Sequence, residues 1–255
     1  MTLKLALFQG SPSMGDPTSA LVTLRQKALA AAAAGARMPV VPELFLPGYN
    51  QPDLHIRLAQ PAGGAWEEQV RSFAIESGCG ITFGWTERDG DKVYNTVSTF
   101  DDEGALLGRY RKIQLFGEME PRSFTPGDSY CAFEFEGVKT ALLICYDVEF
   151  PQHIKAMAGQ GVRLILAPCA NPAGFEHVSD HMLPAQAAAM GLSILYCNYC
   201  GVEGDIAYAG GSLLVGPDAQ FSAKAGRSET LMIAEFNDNI PDFLRTTQLS
   251  DYRKV

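Results

Sequence analysis

Positive charge is scarce in this chain. Its 255 residues carry 20 Lys and Arg against 29 Asp and Glu, a net charge of −9. No basic run is long enough to track a phosphate backbone, which excludes a nucleic-acid-binding role. Six cysteines are too few for a disulfide scaffold in a chain of this length. Cys79, Cys131, Cys145, Cys169 and Cys197 lie in or beside apolar segments, where a reduced thiol behaves as a small core residue. Long apolar runs are missing too. The alanine-rich stretch 28–36 is interrupted at Gly35, far short of a membrane span. Residues 1–9 are too short for a secretory signal and read as a first strand. There is no Gly-x-Ser-x-Gly elbow, no P-loop and no Gly-x-Gly-x-x-Gly. A cytoplasmic protein without membrane or nucleic-acid partners is the expectation.

What is present suits a well-cored enzyme: 47% of residues are hydrophobic and 19% charged. Neither a linker nor a short repeat interrupts the chain, so a single domain over 1–255 is expected. Strand and helix patterns alternate. Strands are predicted at 3–9, 38–42, 80–87, 93–100, 105–110, 131–135, 138–144, 164–167, 194–198, 208–215 and 230–236. Helices are predicted at 18–34, 66–77, 151–159 and 180–191, the first stopped by Gly35 and the second by Gly78. A long loop, 114–129, is marked by Gly117, Pro121, Pro126 and Gly127. Loops of that length inside a compact domain often carry function. Hairpins mixed with β-α units point to mixed sheets, and strands apolar on both sides require both sheet faces to be covered.

Three reactive side chains stand where apolar runs end. Glu43 follows Val40-Val41-Pro42, Lys112 follows Gly108-Arg109-Tyr110-Arg111, and Cys145 follows Leu142-Leu143-Ile144. Strand ends are where α/β proteins present reacting groups. A thiol is only slightly ionised at neutral pH and needs a base or a positive neighbour. Glu43 is the candidate base. Lys112, with the backbone N–H of Tyr146, is the candidate stabiliser of an oxyanion. His177 and His181 have metal-ligand spacing, but no third ligand with diagnostic spacing accompanies them, so no metal or other cofactor is expected. Cys197-x-x-Cys200 lies at the end of an apolar strand without a following helix and reads as core packing.

Three segments, Pro42-Glu43-Leu-Phe-Leu-Pro-Gly48-Tyr49, Tyr110-Arg-Lys112-Ile-Gln-Leu-Phe116 and Leu143-Ile-Cys145-Tyr146-Asp147, resemble the signature of the nitrilase superfamily, the carbon–nitrogen hydrolases. Their order, Glu then Lys then Cys, matches that family's triad. The resemblance implies an α/β fold, a four-layer α-β-β-α sandwich of two mixed sheets. It also implies a second glutamate four residues before the Phe of Phe124-Thr-Pro126-Gly127. That position is Glu120, with Glu118 as the alternative. The family resemblance further implies association into a homodimer or a higher oligomer.

Cys145-Tyr146-Asp147 resembles the amidase-like branch, whereas true nitrilases carry Cys-Trp-Glu. The implied activity is hydrolysis of a nonpeptide C–N bond in a small linear amide through a thioester on Cys145. Hydrolysis of a carbamoyl compound or a nitrile stays open, as does a binding module that has lost catalysis. Tyr49, Tyr146, Glu149 and Asn171 are the expected substrate-binding residues. Glu149 stands where some acid-amide hydrolases of the superfamily carry an arginine, so a neutral or amine-bearing amide is expected. Many members carry Pro-Ala-Arg-Ala-x-Glu-Asn after the catalytic region; here Gln186, Ala189 and Met190 replace the Arg, Glu and Asn.

Overall fold

The computed structural model describes residues 3–237, 241 and 246–254. The expected 1–255 boundaries include positions outside the described residues. Strand β1 (Leu3–Gln9) leads into helix α1 (Pro17–Ala33). The Asp16 side chain accepts the N–H groups of Thr18 and Ser19, and Pro17 sits at a position that needs no N–H. Then come β2 (Met38–Val40), α2 (Pro52–Leu58), β3 (Gln60–Pro61) and α3 (Ala65–Ser77). Gly78 ends α3 in the left-handed region at φ 60°.

Strands β4 (Ile81–Asp89), β5 (Lys92–Phe100) and β6 (Leu106–Arg111) form an antiparallel meander. Helix α4 (Met119–Ser123) interrupts the predicted long loop. It is followed by β7 (Cys131–Phe135), β8 (Val138–Leu142), α5 (Pro151–Gly159), β9 (Leu164–Pro168), α6 (Leu183–Met190) and β10 (Ser193–Cys197). The remaining elements are β11 (Val202–Glu203), β12 (Ile206–Ala207), β13 (Leu213–Val215), β14 (Phe221–Lys224), β15 (Thr230–Phe236) and α7 (Gln248–Asp251).

Two large mixed sheets result. The first runs β15-β1-β2-β4-β5-β6, with β3 also on β4; the second runs β14-β13-β10-β9-β8-β7. Each has a parallel centre flanked by antiparallel strands: β1, β2 and β4 in the first, β8, β9 and β10 in the second. Leu5, Leu7, Val40 and Val97 of the first sheet share one core cluster with Leu142, Leu166, Leu195 and Leu214 of the second. Ile154 and Met157 of α5, with Leu183 and Ala187 of α6, extend that cluster over the second sheet. Leu24 and Ala28 of α1, with Val70 and Ala74 of α3, pack with Ile81 and Phe83 of the first sheet. The layers are therefore α-β-β-α, and strand faces on both sides of each sheet are dry.

Several predicted elements shift by one or two residues, the strand expected at 38–42 ending at Val40 among them, and three further differences stand out. The strand expected at 208–215 is only β13, because Gly210 and Gly211 take positive φ and turn the chain before it. The helix expected at 180–191 begins as a π turn, Val178–Met182, before α6. Strand β8 ends at Leu142, short of the predicted 144.

Candidate active site

The pleat of β6 decides which of two adjacent cations faces inward. Lys112 continues the pairing of β6: its N–H donates to Asn95 O at 2.8 Å and its carbonyl accepts from Gly127 N at 2.7 Å. Arg111 then points to one side and Lys112 to the other. The Lys112 side chain is completely buried. Its Nζ donates to Glu43 Oε1 and to Glu120 Oε1, each at 2.7 Å. An ammonium has three N–H donors, so one remains for another acceptor.

Glu43 lies past the end of β2, where the two sheets meet. Its N–H donates to Cys169 O of the second sheet at 3.3 Å. Strand β4 passes so close that a Cβ on Gly84 would lie 2.5 Å from Leu44 N, so only glycine fits there. Glu43 Oε1 also accepts from Asn95 Nδ2 at 2.7 Å, while its Oε2 is buried with no hydrogen-bond partner among the described residues. Glu120, from α4, is held by three donors. Oε1 takes Lys112 and the Tyr49 hydroxyl (2.8 Å), and Oε2 takes Phe116 N (3.0 Å). Glu118 instead reaches solvent and pairs with Arg122.

Cys145 begins a 3₁₀ turn, Cys145–Glu149, just beyond β8. Its φ of 43° is in the left-handed region, which costs a non-glycine residue roughly 1–3 kcal/mol. Asp147 holds that turn. Its Oδ2 accepts Ile144 N (3.0 Å) and the Tyr110 hydroxyl (2.9 Å), and its Oδ1 accepts Gln114 N (2.7 Å). Gln186 of α6 adds a bond from Nε2 to Val148 O at 2.9 Å. The turn carrying the thiol is thereby tied to the segments before and after Lys112 and to α6.

The electrostatics follow from burial. Burial raises the Glu43 pKa; Lys112 pulls it back down and Glu120 pushes it up, leaving it at about 7. Burial alone pulls Lys112 down, but the charges of Glu120 and Glu43 win and it stays firmly protonated. The Cys145 thiol is lowered most by its hydrogen bond with Cys169. Burial and the Glu43 charge oppose that, and the net shift is upward. A thiol raised in this way needs a base at hand to become a nucleophile.

The remaining sequence-predicted residues fall around this cluster. Tyr49 is buried on Glu120. The Tyr146 ring packs edge-on against Phe116 and Phe150, at centroid distances of 5.1 and 4.9 Å. Phe116 in turn meets Phe175 at 5.8 Å. Glu149 is partly buried; burial raises its pKa, and His177 and Lys112 lower it. Asn171 is stitched into the backbone: its N–H donates to Asn198 Oδ1 (2.7 Å) and its Nδ2 to Phe175 O (3.3 Å).

Sequence reasoning missed Asn95, the supporting role of Asp147, and the contact of Cys169 with Cys145. Asn95 had a signal, an amide inside the strand run Val93-Tyr94-Asn95-Thr96-Val97. Asp147 was visible only as a branch marker. Cys169 had none, because a buried thiol is ordinary core.

A model of the carbon–nitrogen hydrolase family matches residues 4–240. A protein described as "Hydrolase in pqqF 5'region" from Pseudomonas protegens is 37% identical over 91% of this chain and 82% of its own length. The 2-oxoglutaramate amidase of Bacillus subtilis is 31% identical over 78% of this chain and 77% of its own. Among solved structures, a mutant of the amidase from Nesterenkonia sp. AN1, with acrylamide joined to its active-site cysteine by Michael addition, superposes with a TM-score of 0.89. It is 30% identical and the match covers 98% of this chain and 96% of that one.

Proposed function

The chain belongs to the carbon–nitrogen hydrolase family, and from that premise we propose how its residues divide the work. It is an amidohydrolase acting on nonpeptide C–N bonds of small amides. The observation that carries the assignment of roles is the buried cluster in which Lys112 bonds both Glu43 and Glu120 beside the strained Cys145 turn.

Cys145 is the nucleophile. Glu43 Oε2 takes the thiol proton as Sγ attacks the amide carbonyl carbon. The carbonyl oxygen becomes an oxyanion, stabilised by the remaining N–H of Lys112 and the N–H of Tyr146. Glu43 then returns the proton to the nitrogen, the C–N bond breaks, and ammonia or an amine leaves a thioester on Cys145. Water, deprotonated by Glu43, attacks the thioester. The C–S bond breaks, the thiol regains its proton and the acid departs. Glu120 keeps Lys112 in place. No step calls for a metal or an organic cofactor.

Tyr146, Glu149 and Asn171 surround the substrate, with Tyr49 behind Glu120. The rings of Phe116 and Tyr146 suit a short apolar acyl group, and the carboxylate of Glu149 disfavours a substrate bearing its own carboxylate. A neutral or amine-bearing linear amide is the substrate class on this reading. One domain carries all of it. Six free thiols support a reducing, cytoplasmic setting. Among the described residues no helix is long and apolar enough to cross a membrane. Self-association, at least to a dimer, rests on the family resemblance.

A panel of neutral aliphatic amides, succinamate-type acid amides, carbamoyl compounds and nitriles, assayed for ammonia, tests both parts. The neutral amides should turn over best, and Cys145→Ala should abolish all turnover. Undiminished activity in that variant would remove the nucleophile, and a preference for the acid amides would remove the role of Glu149.

A further inference from the structure

We propose that Glu203 is a positioning residue: it clasps the loop that carries Tyr49 and, through Tyr49, holds Glu120 and Lys112 in place for turnover. The proposal rests on the roles given above to Glu120 and Lys112. Glu203 ends β11 in the short β11–β12 hairpin and is completely buried. Its Oε2 accepts from Asn50 N and from the Tyr208 hydroxyl, each at 2.8 Å, and its Oε1 accepts from Gln51 Nε2 at 3.1 Å. Asn50 Nδ2 also donates to Glu203 O at 2.8 Å. All of these donors are neutral. A buried carboxylate is costly unless hydrogen bonds replace its water, so the chain is held where those donors stand.

Tyr49 is fixed from both flanks. After it come Asn50 and Gln51, both bonded to the Glu203 carboxylate. Before it comes Gly48, with φ 127°, where a Cβ would lie 2.5 Å from Glu203 Oε1. The Gly48 carbonyl is bonded to His55 Nε2 at 2.9 Å. Between these anchors the Tyr49 hydroxyl donates to Glu120 Oε1 at 2.8 Å, the same oxygen that takes Lys112 Nζ at 2.7 Å. A shift of Tyr49 therefore moves the carboxylate that aims the ammonium. Misplacing a reacting geometry by about 1 Å can cost on the order of 100-fold.

The same hairpin also touches the segment that carries Asn171. Ala209 N donates to Asn171 O at 3.0 Å and Ala173 N to Ala207 O at 2.7 Å. Those bonds run from backbone to backbone and use neither oxygen of Glu203. Both carboxylate oxygens instead take donors from Asn50 and Gln51, so the effect of Glu203 is directed at Tyr49. Its signature follows. Lys112 meets the oxyanion only as the transition state forms, so a loosened clasp lowers kcat and leaves KM nearly unchanged.

The test is steady-state kinetics of the full chain on a neutral aliphatic amide, with Cys145→Ala as control. Glu203→Asp, Glu203→Gln and Gly48→Ala are measured alone and combined with Tyr49→Phe. Glu203→Asp keeps the charge but is one methylene short, so kcat should fall about tenfold with KM within about twofold. Glu203→Gln keeps an oxygen for Asn50 N and the Tyr208 hydroxyl and should stay within about threefold of the wild type. Gly48→Ala presses a methyl on the same carboxylate from the loop side and should resemble Glu203→Asp, so the comparison survives if one of the two does not fold. In the Tyr49→Phe background each should cost less than about twofold further, because the bond through which Glu203 acts is already gone. An undiminished loss in that background, a loss confined to KM, or wild-type kcat in Glu203→Asp would overturn the proposal. A wild type without turnover, or a Cys145→Ala variant that keeps it, would instead remove the amidase reading and the proposal with it.

Discussion

Arg111 and Lys112 are consecutive, and each holds two carboxylates. Arg111 bonds Glu87 through Nε at 3.1 Å and Nη2 at 2.5 Å, and reaches Asp89 at 3.0 Å. Its guanidinium lies 3.9 Å over the Tyr94 ring, and its side chain is 32% exposed. This cluster borders a cavity of about 570 Å³ lined by charged groups such as Arg88, Arg109 and Asp128. Lys112, Glu43 and Glu120 have no exposed side-chain surface. The decisive difference is saturation. The planar guanidinium and the Thr96 hydroxyl occupy both oxygens of Glu87. The point charge of Lys112 meets only Oε1 of Glu43 and leaves Oε2 unpartnered among the described residues. A saturated carboxylate binds; one with an unpartnered oxygen in a dry site can take a proton. The cavity beside Arg111 therefore lies on the side of the strand less suited to catalysis.

The largest effect should come from making the inner cluster resemble the outer one. Lys112→Arg keeps the charge but offers a fork that covers both Glu43 oxygens. Turnover should fall roughly 100- to 1000-fold, the scale of a lost oxyanion donor. Steady-state kinetics on a neutral amide would show it, and near-native kcat would break the contrast.

A smaller change tunes the base. Glu43 must be ionised to accept the thiol proton, so kcat/KM should decline as pH falls through about 7. The Asn95 bond favours the ionised form, so Asn95→Ala should raise that pKa and move the acidic limb upward. At neutral pH the loss should be about two- to fivefold, the scale of a shift approaching one unit from about 7. A limb that stays put or moves down would detach Asn95 from the base. The stability linkage has the same origin. With its folded pKa raised, Glu43 binds a proton better in the folded chain. Its contribution is complete below the ordinary carboxylate range and fades as pH rises through about 7.

The smallest catalytic effect belongs to the outer cation. Arg111→Ala should leave kcat/KM within about twofold while lowering stability by about 1–3 kcal/mol, because the buried Glu87 loses its main partner. Solvent at Arg111 limits that loss. Urea unfolding beside turnover separates the two, and a large kinetic loss would erase the distinction between the two sides of β6.

Much of this molecule was legible beforehand. The 3–9, 151–159 and 230–236 elements match their predicted bounds, because strong apolar periodicity sits between clear stop signals. The short elements α2, β3 and β14 were not legible, since a few residues held by tertiary contacts carry little pattern of their own. The three segments with Glu43, Lys112 and Cys145 could be read from residue types at strand ends. Asn95, Asp147 and Gln186 act through bonds to groups remote in sequence, so no local spacing announces them.

The sequence by itself determined the alternation of strands and helices, the dry strand faces, and the presence of a thiol, a carboxylate and an amine at strand ends. These are local properties of period and residue type. Tertiary structure alone decided that Lys112 rather than Arg111 faces Glu43, and that Glu120 rather than Glu118 reaches the lysine. It also put the Cys169 thiol against Cys145. The reason is that the pleat, the register and the approach of two sheets set these distances, and each depends on residues far apart along the chain.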